Sequence, residues 1–126
     1  MAANQKTELL ALKKFSDVME YGHIALKQFP RHQRYILAAR IDSCMIEIME
    51  LIITANLRYH KKTTLNELDI KLALLRHLIR LAMQREYLTI RRYEIWTRGI
   101  DEVGRIVGGW IKWVRTPRPS ENRAQC

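Results

Sequence analysis

The sequence predicts an all-α protein, an antiparallel up-down four-helix bundle. Three observations carry that reading. In four separate stretches the apolar residues recur at alternating steps of three and four, the spacing that gathers them on one helical stripe. The joins between those stretches are short, and short joins make successive helices antiparallel neighbours. No stretch shows the two-residue alternation of a half-buried strand. With 126 residues and 48% hydrophobic content, the chain can bury one core.

Residues Thr7 to Gln28 form the first helix, with Leu12, Phe15, Met19, Gly22 and Leu26 on its stripe and Val18 and Ala25 beside it. After the join KQFP, the stretch from Pro30 to Tyr59 contains no glycine and no further proline, so it reads as the longest helix, roughly 45 Å. Pro30 suits its first turn, where a missing N–H costs nothing. Its core seam is Leu37, Ile41, Cys44, Ile48, Leu51 and Ala55. A second apolar row, Ile46, Met49 and Ile53, lies on the far side of the same helix, where the edge of a monomer should be polar. That row reads as an oligomer interface.

Thr64 with Glu67 three residues on predicts a capping box that opens the third helix. Its seam is Leu65, Leu68, Leu72, Leu75, Ile79 and Ala82, widened by Leu74, Leu78 and Leu81, which leaves Arg76 and Arg80 on the outer arc. Thr89 caps a fourth helix from Ile90 to Val114, whose stripe is Tyr93, Trp96, Ile100, Val103, Val107, Trp110 and Val114. Pro117 and Pro119 stop it. The domain reading is therefore a bundle over residues 1–115 and a disordered tail over 116–126.

Charge points to the partner. The chain carries 22 basic and 13 acidic residues, a net +9, and 14 of the basic ones are Arg, which grips phosphate in a bidentate fork. From Leu75 onward there are 11 basic and 5 acidic residues, so the excess lies in the second half. On the fourth helix Arg91, Arg98, Arg105 and Lys112 recur every seven residues, outside the seam, and no acidic residue shares the row. Such a row repels itself and is better explained by a phosphate backbone than by a solvated face. Arg76, Arg80 and Arg115 add to the same sign.

Other chemistry finds little support. Gly99 and Gly104 have the spacing of a phosphate loop, but Arg105 and Ile106 stand where Lys and Ser or Thr are required, and no strand precedes them. Those glycines, with Gly108 and Gly109, are better read as sites where a neighbouring helix or subunit comes close. Glu20 and His23 match the Glu-x-x-His spacing of a di-metal bundle once, and no second match exists, so no metal or cofactor is expected. No serine, cysteine or histidine has an arranged base in the sequence, so catalysis is not expected either. Two cysteines suit a reducing compartment, and no uncharged run approaches the roughly 20 residues of a membrane span. A soluble cytoplasmic protein is the expectation.

Three stretches together carry a resemblance: FPRHQRYILAARI, LALLRHLIRLA and EVGRIVGGWIKWV. The chain resembles the accessory variability determinant (Avd) family of diversity-generating retroelements over nearly its whole length. The resemblance implies a bundle that assembles into a homopentameric barrel. It also implies partners, a reverse transcriptase and its template RNA; DNA, which carries the same phosphates, is a further expected ligand of the basic row. The polymerase chemistry would belong to the transcriptase, and this chain would support mutagenic cDNA synthesis without being an enzyme. By position, Arg98 and Arg105, and after them Arg76 and Arg80, are the residues carried over. The FPR opening is also similar to four-helix-bundle proteins of ribosomal RNA intervening sequences. An RNA-binding bundle without a transcriptase, or an oligomeric scaffold, is therefore the alternative.

Overall fold

The computed structural model describes residues 2–115, and they form four long helices. These are α1 (Ala2–Leu26), α2 (Leu37–Leu57), α3 (Lys62–Gln84) and α4 (Ile90–Arg115), with a 3₁₀ turn at Arg31–Gln33 between the first two. No strand occurs among the described residues. Each helix packs on its neighbours in chain order and α1 closes the ring on α4, while the diagonal pairs make no close backbone approach. This is the expected up-down bundle. The residues assigned to a disordered tail lie outside the described part of the chain.

The core follows the apolar stripes. Every seam residue predicted on α3, from Leu65 to Ala82, is fully buried, as are Phe15 on α1 and Ile41, Cys44 and Ile48 on α2. Trp96 and Trp110 are core residues, and Ile100, Val103 and Val107 fill the stripe between them. Tyr93 and Val114, at the two ends of that stripe, are half-buried and pack against the core. On α1 the centre of the stripe is Ala11, Phe15, Val18, Gly22 and Ala25, so Leu12, Met19 and Leu26 flank it.

Three expectations need correction. First, the helix expected to start at Pro30 starts at Leu37; α2 has 21 residues, about 32 Å, and the longest element is α4 with 26. Pro30 opens the 3₁₀ turn instead. Buried Phe29 packs its ring 5.9 Å from that of Tyr87, and His32 meets the same ring edge-on at 6.3 Å, so contacts with the α3–α4 turn hold this segment out of the helix.

Second, the α2 seam passes through Ile52, which is fully buried, and leaves Leu51 half-buried. Strict alternation of three and four drifts against the 3.6-residue turn, and by Ile48 the next inward position is four residues on. Third, the capping box at Thr64 and Glu67 does not form. The helix begins two residues earlier, Thr64 is buried within it, and the Thr64 hydroxyl accepts a hydrogen bond from Arg58 Nη1 at 3.0 Å.

What turns α2 into α3 is Lys61. Its ammonium donates to the carbonyls of Ala55, Asn56 and Arg58 at 2.8, 3.0 and 2.6 Å. A cation on the last carbonyls of a helix satisfies acceptors that have no helical donor. Partial burial pulls the Lys61 ammonium below its ordinary pKa. Thr89 does cap α4, its hydroxyl accepting from the Arg92 N–H at 3.2 Å.

Candidate nucleic-acid interface

The amphipathic pattern of α4 fixes what its outer face presents. With Trp96, Ile100, Val103, Val107 and Trp110 turned inward, Arg91, Arg98, Arg105 and Lys112 are all exposed on the opposite strip. The strip runs about 30 Å along the helix. Arg91, Arg98 and Arg105 form no ion pair among the described residues. Carboxylates do stand nearby in sequence, Glu94, Asp101 and Glu102, each one turn from two of these arginines, but Glu102 pairs with Lys14 Nζ of α1 at 3.3 Å. Asp101 is drawn the other way, however, to Arg76 Nη1 on α3 at 3.8 Å.

The remaining basic residues divide. Arg76 is half-buried between α3 and α4, where it faces Asp101 and its Nη1 lies 3.3 Å from where a Cβ on Gly104 would stand. It acts as a strut between two helices. Arg80 is exposed one turn further along the same side of α3, and Arg115 is exposed in the last turn of α4. The structure thus gathers the α4 residues into one strip, with Arg80 on the neighbouring helix and Arg76 engaged inside the fold.

The opposite corner has the opposite sign. α2 is diagonal to α4 and carries Asp42, Glu47 and Glu50 against Arg40 alone. In the groove between α2 and α3, Glu47, Glu50 and Glu67 surround Leu51 and Ile70. Lys71 Nζ reaches Glu47 Oε2 at 2.7 Å, and that hydrogen bond holds the Glu47 carboxyl below its ordinary pKa. The two corners thus differ in sign, and the cationic potential is concentrated on the α4 side.

The second apolar row is placed as follows. Ile46 and Ile53 are 46% and 43% exposed, and Leu57, one turn beyond Ile53, is more exposed still. Met49 is half-buried and packs against the core. Of the helical glycines, Gly99 meets Val18 Cγ2 of α1 at 3.1 Å from a notional Cβ, as close approach requires, whereas nothing lies within 4 Å at Gly108 or Gly109.

Other site chemistry is sparse. No group of three or more His, Cys, Asp or Glu among the described residues is placed to hold a metal ion. No helix among them is long and apolar enough to cross a membrane. Cys44 is a core thiol whose pKa burial pushes up, which makes it a poor nucleophile.

One group of residues escaped the sequence reading: Arg31 and Arg34 in the α1–α2 turn, and Arg85 and Arg92 around the α3–α4 turn. The up-down topology puts both turns at one end of the bundle, and the packing of His32 and Phe29 on Tyr87 brings them into contact. The signal available in sequence was FPRHQRY itself, where basic and aromatic residues interleave.

Fold and charge together define a class, the small basic helical bundles, here with a strip of cations exposed along one helix. A model of the bAvd-like family matches residues 9–114, a span that takes in most of all four helices. The chain belongs to that family and is an Avd-type accessory protein. No curated protein matches it.

Proposed function

We propose that this chain is the non-enzymatic accessory subunit of a diversity-generating retroelement and that it binds template RNA along the α4 strip. The observation that carries the reading is the row Arg91, Arg98, Arg105 and Lys112, exposed along one side of a bAvd-like bundle. Guanidinium groups without internal partners bind phosphate at little cost in broken contacts. DNA carries the same phosphates and binds the same strip, more weakly where the contact depends on RNA shape.

The chain works as a homo-oligomer, with five subunits as the family resemblance implies. Exposed Ile46 and Ile53 on α2, the helix diagonal to α4, support assembly through a face that leaves the basic strip free. A ring multiplies the strip and offers several phosphate tracks to one RNA. The reverse transcriptase supplies the polymerase chemistry, and the accessory ring holds RNA and enzyme together for mutagenic cDNA synthesis.

Co-expression with the reverse transcriptase and template RNA of such an element, followed by affinity purification with and without ribonuclease, tests this. Retention of the transcriptase in both samples, with RNA in the untreated one, is the expected result. Retention of RNA alone would favour the intervening-sequence reading, and loss of both would leave only a scaffold.

A further inference from the structure

The bundle end that carries the α1–α2 and α3–α4 turns concentrates basic side chains. Residues 27–36 and 85–92 contain six basic side chains, Lys27, Arg31, Arg34, Arg85, Arg91 and Arg92, against one carboxylate, Glu86. Phe29 and His32 on Tyr87 pin the two turns together, so these charges share one end of the bundle. Arg31, Arg34, Arg85, Arg91 and Arg92 form no ion pair among the described residues. Tyr35, 89% exposed, follows Arg34 at this end, with Ile36 exposed beside it.

The other end of the bundle provides an internal comparison. It too has an exposed tyrosine, Tyr59 at 91%, next to basic residues. There the two cations that flank the ring are used within the fold, Arg58 donating to Thr64 and Lys61 to three carbonyls, while Lys62 and Arg115 stay exposed. The Tyr59 ring is met edge-on by His60 at 4.8 Å. At the first end the Tyr35 ring makes no ring contact among the described residues, and the guanidinium groups are unpaired. Fold stability therefore accounts for the cations beside Tyr59 and leaves those beside Tyr35 unexplained.

We infer that this end is a binding site for unpaired nucleotides, in which Tyr35 stacks on a base while Arg31, Arg34 and Arg85 neutralise the flanking phosphates. A free aromatic face takes a base only when that base is not paired, whereas arginines alone accept single and double strands alike. Arg91 belongs to both surfaces, since it is the first member of the α4 strip and stands beside the α3–α4 turn. A strand lying along α4 thus continues onto the turn end, where its bases are held open. The inference rests on the nucleic-acid reading of the strip and adds to it a preference for single strands.

Binding of labelled oligonucleotides to the full chain tests it, using a single strand, a blunt duplex of the same sequence and an abasic strand of the same length. Tyr35→Ala should weaken the single strand roughly 5- to 150-fold, the range one base stack carries. Duplex and abasic affinities and the salt slope should stay unchanged, and Tyr35→Phe should bind as wild type. Arg31→Ala with Arg34→Ala should flatten the salt slope for the single strand. Tyr35 is exposed, so helicity by circular dichroism should be identical in all variants. Equal loss on duplex and single strand, or no loss on Tyr35→Ala, overturns the inference. If Arg98→Ala with Arg105→Ala still weakens binding in that case, the strip reading survives alone; wild type that binds none of the three probes overturns both.

Discussion

Trp96 Cζ2 lies 2.7 Å from the point where a Cβ on Gly22 would stand, and Met45 Sδ lies 3.0 Å from it. One of the two core tryptophans of α4 is therefore seated directly on the α1 backbone, with α2 closing the contact. Gly22 belongs to the core because only a missing side chain leaves room for the indole.

Gly22→Ala should lower stability although alanine is the better helix former. Propensity gains about 1 kcal/mol, and forcing a methyl into the buried indole costs about 1 to 3 kcal/mol. Gly108→Ala, with nothing within 4 Å, should instead raise the stability of the isolated chain by up to about 1 kcal/mol. Urea denaturation followed by circular dichroism checks both, and a more stable Gly22→Ala would contradict the packing described.

The two neighbours Leu51 and Ile52 separate core from rim. Ile52→Ala should cost roughly 2 to 5 kcal/mol through the cavity it leaves, and Leu51→Ala only about 1 to 2 kcal/mol, since its side chain is half-buried. The reverse order in denaturation midpoints would mean that α2 is rotated from the position seen.

Much of this fold was legible in the residues, and the misses have physical causes. The α3 seam was read completely because leucines at helical spacing leave no second choice of face. The start of α2 was misread because the competing interaction is tertiary: Phe29 and His32 are held by Tyr87, more than fifty residues away in sequence. Thr64 was misread for a similar reason, its hydroxyl being taken by Arg58 from across the turn. Of the candidate site, the α4 row was legible because one helix carries all of it. The cluster at the turns was half legible: the up-down topology puts both joins at one end, but the ring contacts that bring them together are tertiary.

Assembly is tested at Ile53. Light scattering of the wild type should report an oligomer, most simply five subunits, and Ile53→Glu should dissociate it with helicity intact, because the charge enters an exposed row and spares the seam. A wild-type monomer at micromolar concentration would contradict the assembly and leave the exposed isoleucines as ordinary surface.

The salt dependence of RNA binding by wild type and by Arg98→Ala with Arg105→Ala bears most directly on the claim that the α4 strip is a phosphate surface. Each phosphate contacted contributes about 0.7 to 0.9 to the log–log slope of affinity against salt. The double variant should bind unrelated RNA sequences more weakly by similar factors and show a flatter slope, by roughly 1 for each arginine lost, with the oligomer preserved. Every subunit of a ring loses the same two side chains, so no other copy restores them. An unchanged affinity and an unchanged slope would contradict the account and make the strip a solvated face.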